Sequence, residues 1–477
     1  MIEDRGNPSG AGDLAARFGA LAAGNVARRS AMDYDARLDA LKRLGGALRD
    51  FDADIIAALK ADLGKPETEV RLTEILPVQA EIKHTVKHLR RWMRPRAVRG
   101  TLLGFGMRGQ IRPEPKGTVL IIAPWNYPLG LALGPLVSAL AAGNGALIKP
   151  SELAPATSAL LGRIVQSCFP PDLVTVAEGG AEVAQTLLDL PFDHVFFTGS
   201  PEIGKKVMAQ AARNLVPVTL ELGGKSPVIV GAGADMAQAA QAVAWGKFAN
   251  AGQTCIAPDH GFVAASHEAR FLAELKKAVA KMYGRADLPP SEAYAQIVSG
   301  RHFDRLVAMR EGALQAGAEL VLGGADHVAE RRIAPTVLTR VDPDNALMQE
   351  EIFGPILPVI PFDDLDAVIA RINAGAKPLA LYVFEKDMAQ VDRIARETSS
   401  GAVGINLALA HYLHLNLPFG GIGNSGMGAA HGEWGFRAFS HEKPLLANRF
   451  APLSNFMPPY RGMRARRLAM LLRVLGR

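Results

Sequence analysis

Three side chains of the sequence are of types that do carbonyl chemistry. Cys255 closes the stretch "NAGQTC", residues 250 to 255. A free thiol has a pKa near ~8.5, so little thiolate exists at neutral pH unless the site lowers it. The small residues around Cys255 would let a substrate approach the sulfur, and the backbone N–H groups of such a turn could hold an oxyanion. Glu221 interrupts an apolar strand in "VTLELGG", followed at once by Gly223 and Gly224. A carboxylate there needs a partner or a task, and burial would raise its pKa toward that of a general base. Asn126 stands in "APWNYP" between Trp125 and the prolines Pro124 and Pro128, just beyond an apolar run, where its amide could donate to an oxyanion. Taken singly, each has a plainer reading: a structural cysteine, a glutamate whose head group reaches water, an asparagine that forms a turn. A fourth stretch, "FFTGSPEIGKKV", reads as strand, small-residue turn and helix start, a geometry that offers N–H groups to a pyrophosphate. It is no magnesium-dependent phosphate loop, because Lys206 stands where Ser or Thr would hold the metal.

The elements that must position these residues follow from periodicity. Residues 33–95 repeat apolar positions every three or four residues, which predicts helices. "MRGQIRP" predicts a short polar strand. From residue 117 the continuous apolar strands "GTVLIIAP", "GALIKP", "LVTVAEG", "HVFFTGS" and "PVTLEL" alternate with helical segments, the signature of a doubly wound parallel sheet. A second alternating stretch, "SPVIVG", "HGFVAA", "ELVLGG", "PTVLTRV", "ILPVIPF" and "LALYVFEKD", predicts a second α/β unit, and "APLSNFMPPYRG" reads as a linker. Expected boundaries are 1–98 and 114–222, with 401–440 returning, for a nucleotide-binding domain; 223–400 for the unit carrying Cys255; 99–113 and 441–455 for bridging segments; and 456–477 for a basic tail.

Composition narrows the function classes. The chain has 477 residues and two cysteines, Cys168 and Cys255, so no disulfide framework is expected and a reducing, cytoplasmic setting is favoured. Cys168, at the end of a helical pattern before a proline, reads as a small core residue. "MIEDRGNPSGAGDLAARF" lacks the pattern of a signal peptide, and no uncharged apolar run is long enough to span a bilayer. The net charge of +6 is local: residues 443–477 carry eight Lys or Arg and no acid, leaving the remainder near −2. That distribution excludes a nucleic-acid footprint, which would be a patch with base-stacking aromatics.

"PWNYP", "IKPSE", "FTGSPEIG", "LELGGKSP", "FANAGQTC", "EEIFGP" and "LPFGGIGNSGMG" occur in the order characteristic of the aldehyde dehydrogenase superfamily, over residues 124–428. "HLRRWMRPR", "NAGQTCIAPD" and "GMGAAHGEWGFRAFSHEKP" resemble most the branch of coniferyl aldehyde dehydrogenases and short, dimeric fatty and aromatic aldehyde enzymes. The resemblance implies two Rossmann-like α/β domains with a small oligomerisation β-segment, and a homodimer. It implies Cys255 as nucleophile, forming a thiohemiacetal and then a thioester, Glu221 as the base for hydrolysis, and Asn126 with the Cys255 N–H as oxyanion donors. Lys149 and Glu152 match positions at the adenosine ribose, Gly199, Ser200 and Gly204 the pyrophosphate turn, and Glu351 and Phe353 the nicotinamide ribose. Glu152 would repel a 2′-phosphate, so NAD is favoured, with NADP also used in the branch. Lys225 is expected to be a structural neighbour of the base.

Tyr127, Thr254, Ile256, His411 and Phe419 are expected to line the substrate pocket. His411 and His414 stand three apart without a third ligand, so no metal is assigned. The loop "NLALAHYLHLNLPFGG" departs from the coniferyl-type pattern, which leaves the aldehyde open between aromatic and medium- or long-chain members. The end, "RGMRARRLAMLLRVLGR", is a basic amphipathic helix that would either dock on protein or lie on an anionic membrane surface. Two alternatives stand beside the dehydrogenase: a coenzyme-A-acylating enzyme, against which Glu221 argues, and a catalytically silent ligand-binding relative.

Overall fold

The computed structural model describes residues 11–284, 293–451 and 457–475. The N-terminal decapeptide, part of the linker and Arg477 therefore lie outside the described residues. Helices Tyr34–Asp50, Asp52–Leu63 and Leu76–Trp92 occupy the region of three- and four-residue periodicity. Between the last two the chain passes through a short helix, Glu67–Val70, and a π-helical turn, Arg71–Ile75. A π turn widens a helix by one residue and re-aims the side chains that follow; here it carries Glu74, which is fully buried.

Two parallel sheets form the body. The first has six strands in the order Gly426–Met427, Val218–Leu222, His194–Gly199, Thr118–Ile122, Gly145–Lys149 and Val174–Val176. All pairings are parallel except that of Gly426–Met427 with Val218–Leu222. Its central strands read as unbroken apolar runs because helices cover both faces. One of them, Gly130–Ala142, is buried nearly all round, and Leu133, Leu136, Val137 and Leu140 join the core beneath Val119 and Ile121.

The second sheet has seven strands in the order Glu319–Leu322, Thr336–Thr339, Ile356–Phe362, His260–Ala264, Pro227–Val230, Ala380–Phe384 and Ala402–Ile405. Only the outer strand Glu319–Leu322 runs antiparallel. The strand Ala402–Ile405 pairs with Ala380–Phe384 in this second sheet. The expected return to the first sheet at residue 401 is thus corrected: residues 402–405 complete the second sheet, and the first is rejoined only at Gly426–Met427. A third, antiparallel sheet joins Arg96–Ala97, Met107–Pro115 and Ser440–Asn448, the last two in register over nine pairs. Cys168 ends the helix Pro155–Cys168 as a buried core residue. No helix among the described residues is long and apolar enough to cross a membrane.

Candidate active site

The nucleophile turn is built on left-handed backbone. Asn250, Ala251 and Gly252 have φ of 52°, 52° and 73°. Only glycine fits the third position, because a Cβ on Gly252 would stand 2.3 Å from the Gly354 carbonyl oxygen. The turn is pinned by its own amides. Asn250 Nδ2 donates to the carbonyl oxygens of Asn126 (2.9 Å) and Gln253 (3.2 Å), and Gln253 Nε2 to those of Asn250 (3.0 Å) and Gln296 (2.9 Å). Asn126 Nδ2 donates to the Gln253 oxygen at 3.0 Å. One amide hydrogen of Asn126 is thereby fixed and the second remains for a substrate oxygen.

Cys255 and Glu221 each line two cavities. One, of about 1560 Å³, runs between the sheets; the other, of about 160 Å³, is narrow and largely apolar. The half-buried Cys255 thiol is pushed up to about 12, first by burial, then by the carboxylates of Glu351 and Glu221, while its own N–H and that of Ile256 favour the thiolate. Glu221 is 5% exposed, and both its carboxylate oxygens lack a hydrogen-bond partner among the described residues. Burial alone pushes its pKa well above the usual carboxylate range. A thiol and an unpartnered carboxylate thus stand where the two cavities meet, with the Asn126 amide beside them in the wall of the larger one. The aldehyde dehydrogenase family model matches residues 15–445.

The chain belongs to the aldehyde dehydrogenase family.

The 4,4'-diaponeurosporen-aldehyde dehydrogenase of Staphylococcus aureus is 44% identical over 90% of this chain and 93% of its own. A probable coniferyl aldehyde dehydrogenase of Caulobacter vibrioides is 42% identical over 89% and 90%. The substrate-bound structure of Staphylococcus aureus AldH superposes with a TM-score of 0.91 at 42% identity, covering 96% of this chain and 99% of that one. The protein is accordingly an NAD(P)-dependent aldehyde dehydrogenase.

In this aldehyde dehydrogenase the larger cavity is lined by Lys149, Glu152, Gly199, Ser200, Glu351 and Phe353, six of the seven residues expected at the cofactor. Lys149, buried, bonds Glu152 at 2.8 Å, and the half-exposed Glu152 carboxylate lines the same wall. Gly199 and Ser200 line it at the start of the helix Pro201–Ala211, whose first turn Ser200 caps through the Ile203 N–H. Gly204 is not a lining residue. A Cβ there would meet Leu222 at 2.7 Å, so its role is to let the helix approach the strand. Glu351 Oε1 accepts from the Gly224 N–H at 3.0 Å, and burial outweighs that bond to raise its carboxyl to about 7. Phe353 sits at φ 49°, its ring edge-on to Trp125 at 5.4 Å. Lys225 is indeed a neighbour in structure: it bonds Asp259 at 2.6 Å and the carbonyl oxygens of Leu347 and Glu350, holding the "EEIFGP" turn against the strand.

The smaller cavity takes Tyr127, Thr254, Ile256 and Phe419 as expected. Tyr127 and Thr254 share a 2.6 Å hydroxyl bond, and the Ile256 oxygen accepts from Tyr382 at 2.7 Å. His411 is corrected: the 3₁₀ turn Ala410–Leu413 presents Tyr412 and Leu413 to the cavity, and the His411 ring stacks 6.1 Å from Phe419, outside the lining. The sequence reading missed Glu81 and His431 in this wall, which come from segments distant in sequence, and took His411 in place of its neighbour Tyr412.

It also missed the frame behind Asn126. Lys65 Nζ donates to Glu74 Oε1 (2.7 Å) and to the Asn126 carbonyl (3.2 Å) and lies 4.2 Å from the Tyr127 ring centroid. Glu74 Oε2 accepts from the Gly130 N–H at 2.8 Å, and Glu69 Oε1 from the Asn250 N–H at 2.8 Å. Both side chains of the Lys65–Glu74 pair are fully buried. Removing one partner of such a pair strands the other charge, so Lys65→Met is expected to lose about 3–5 kcal/mol of stability in urea unfolding. Lys65→Met with Glu74→Leu is expected to recover most of that loss.

Proposed function

We propose that this chain oxidises an aromatic or medium- to long-chain aldehyde to its acid, with NAD preferred over NADP. The observation that carries the reading is the junction itself: Cys255 and Glu221 are shared by a large cavity of mixed polar and apolar lining and a small, largely apolar pocket. The aldehyde enters from the apolar side, and the Cys255 sulfur, as the thiolate left when its proton passes to solvent water, attacks the carbonyl carbon. The second amide hydrogen of Asn126 and the Cys255 N–H take the oxyanion, the arrangement that stabilises a tetrahedral intermediate most. When bound, the nicotinamide cofactor accepts the hydride that leaves that carbon. Glu221, held without a protein partner, then draws a proton from water that attacks the thioester, releasing the acid and the Cys255 thiol. The exposed Glu152 carboxylate supports NAD, because a 2′-phosphate beside it adds like charge.

The test is reduced-cofactor formation by purified protein with NAD or NADP and coniferyl aldehyde, benzaldehyde and straight-chain aldehydes. Turnover is expected with NAD at higher kcat/KM than with NADP; absence of turnover with every aldehyde overturns the reading.

The homodimer reading gains support from the third sheet. Ser440–Asn448 pairs on one side only among the described residues, and its Leu446 is 70% exposed, an edge of the kind that a second copy can extend. The helix Met463–Leu475 has Leu468, Leu472 and Leu475 exposed along one side, which leaves that side for a partner subunit or an anionic bilayer. Light scattering is expected to give the mass of two chains, and Leu446→Asp the mass of one. Deleting residues 460–477 is expected to lower co-sedimentation with anionic liposomes; an unchanged distribution would remove the membrane role.

A further inference from the structure

The apolar pocket is walled by Leu72, Pro77, Val78, Leu409, Leu415 and Phe419, yet besides the two Glu221 oxygens at its inner end, two further polar atoms of its lining residues have no protein partner. Glu81, on the helix Leu76–Trp92, is 5% exposed. Its Oε1 accepts from the Gly432 N–H at 2.7 Å, and its Oε2 accepts from nothing among the described residues. His431 Nδ1 stands 3.7 Å from that oxygen, too far for a hydrogen bond, and is likewise unpartnered. The imidazole is not free to swing. Tyr412 packs edge-on at 4.6 Å and Phe419 lies at 5.2 Å.

Buried polar atoms normally find a partner, and two orphans side by side in the wall of a ligand pocket mark a place where the ligand supplies it. The two atoms stand 3.7 Å apart, a separation that one hydroxyl oxygen can bridge at about 2.8 Å from each. Its O–H donates to the carboxyl oxygen, and its lone pair accepts from an Nδ1–H tautomer. A charged ligand group does not fit as well. Burial raises the Glu81 carboxyl to about 7 and lowers the His431 imidazole to about 4, so the pair offers no fixed cation for an acid group.

We propose that Glu81 and His431 form a hydroxyl-recognition pair, and that the preferred aldehyde carries a hydroxyl group on an otherwise apolar skeleton. This rests on the reading of the pocket as the aldehyde site. The apolar walls accept the skeleton; the pair selects among skeletons of equal size.

The experiment compares kcat/KM, with NAD and the full chain, within two size-matched couples: 4-hydroxybenzaldehyde against 4-methylbenzaldehyde, and 10-hydroxydecanal against undecanal. The hydroxyl member of at least one couple is expected to be favoured by about 10-fold or more, the value of one hydrogen bond to a charged or buried acceptor. That ratio is expected to fall to near one in Glu81→Leu and in His431→Phe. In Glu81→Gln, whose oxygen keeps the Gly432 N–H and whose NH2 then donates to the hydroxyl oxygen while the hydroxyl donates to an unprotonated His431 Nδ1, it is expected to survive. Because each ratio is taken within one variant, a general loss of activity or of folded protein cancels. A ratio near one in both couples for the wild type, or a ratio that survives both Glu81→Leu and His431→Phe, overturns the pair while leaving the aldehyde reading intact. Absence of turnover with all four compounds overturns the aldehyde reading and this inference with it.

Discussion

Cys255→Ala is expected to reduce aldehyde-dependent formation of reduced cofactor by a factor of roughly 10⁴ or more, while cofactor binding, followed by fluorescence titration, persists. The reason lies in the turn that carries the sulfur. Left-handed backbone at Asn250, Ala251 and Gly252 brings the thiol to the junction of the two cavities, and Asn126 is tied to the same turn through Gln253. No other thiol can replace it: Cys168 is buried in a helix of the first sheet's core. The state of the thiol adds a second readout. Its pKa is raised to about 12 by burial and by two carboxylates. Since the thiolate is the reactive form, the thiolate fraction of the cofactor-free enzyme grows about tenfold per pH unit below that value. Alkylation by iodoacetamide is therefore expected to accelerate from pH 7 to pH 10 without a plateau, and Cys255→Ala to show no such modification. A plateau near neutrality would mean that the thiolate already exists before cofactor binds.

Glu221→Gln is expected to separate the two halves of the reaction. Attack by sulfur and hydride departure need no water, so one equivalent of reduced cofactor per site should still appear rapidly. Hydrolysis of the thioester needs a base, and steady-state turnover is expected to fall by roughly 10²–10⁴. The sign of the pH dependence follows from burial. A carboxylate held above its usual range is protonated, and inactive as a base, at pH values where an exposed glutamate is already ionised. The acid limb of kcat in the wild type is expected to lie above pH 4.5 and to disappear in Glu221→Gln. Rapid-quench measurement of the burst against the steady rate decides the matter. Loss of the burst together with steady turnover would place Glu221 in thiol activation instead. Formation of a coenzyme A thioester by the wild type, in place of acid, would favour the acylating alternative.

Much of this was legible in one dimension because the chemistry sits where elements change. Strands buried on both faces read as unbroken apolar runs, and the sheets follow from them. Asn126 just beyond such a run, Glu221 within one and Cys255 in a small-residue turn are breaks in local pattern, and a break is visible without a fold. The helix start at Pro201 was legible as a strand, a small-residue turn and a helical pattern, whereas "EEIFGP" and Gly204 were singled out by the family resemblance, and the Gly204 glycine serves helix-to-strand packing. At residue 401 a short strand could join either sheet.

What the sequence by itself determined is therefore the order of strands and helices, the small-residue turn that ends at Cys255, and the places of Asn126 and Glu221 at breaks in apolar runs. Tertiary structure alone decided which residues surround them. Lys65 meets the Asn126 carbonyl while paired with Glu74, which a π turn carries into the same buried frame. Glu81 and His431, 350 residues apart in the chain, face one cavity only because the helix Leu76–Trp92 and the loop before Gly432 pack together. The 3₁₀ turn at Ala410–Leu413 turned Tyr412 inward and His411 away. The physical reason is common to all three. A side chain's period along one element is set by local backbone geometry, whereas the wall of a cavity is assembled by long-range packing that no local pattern encodes.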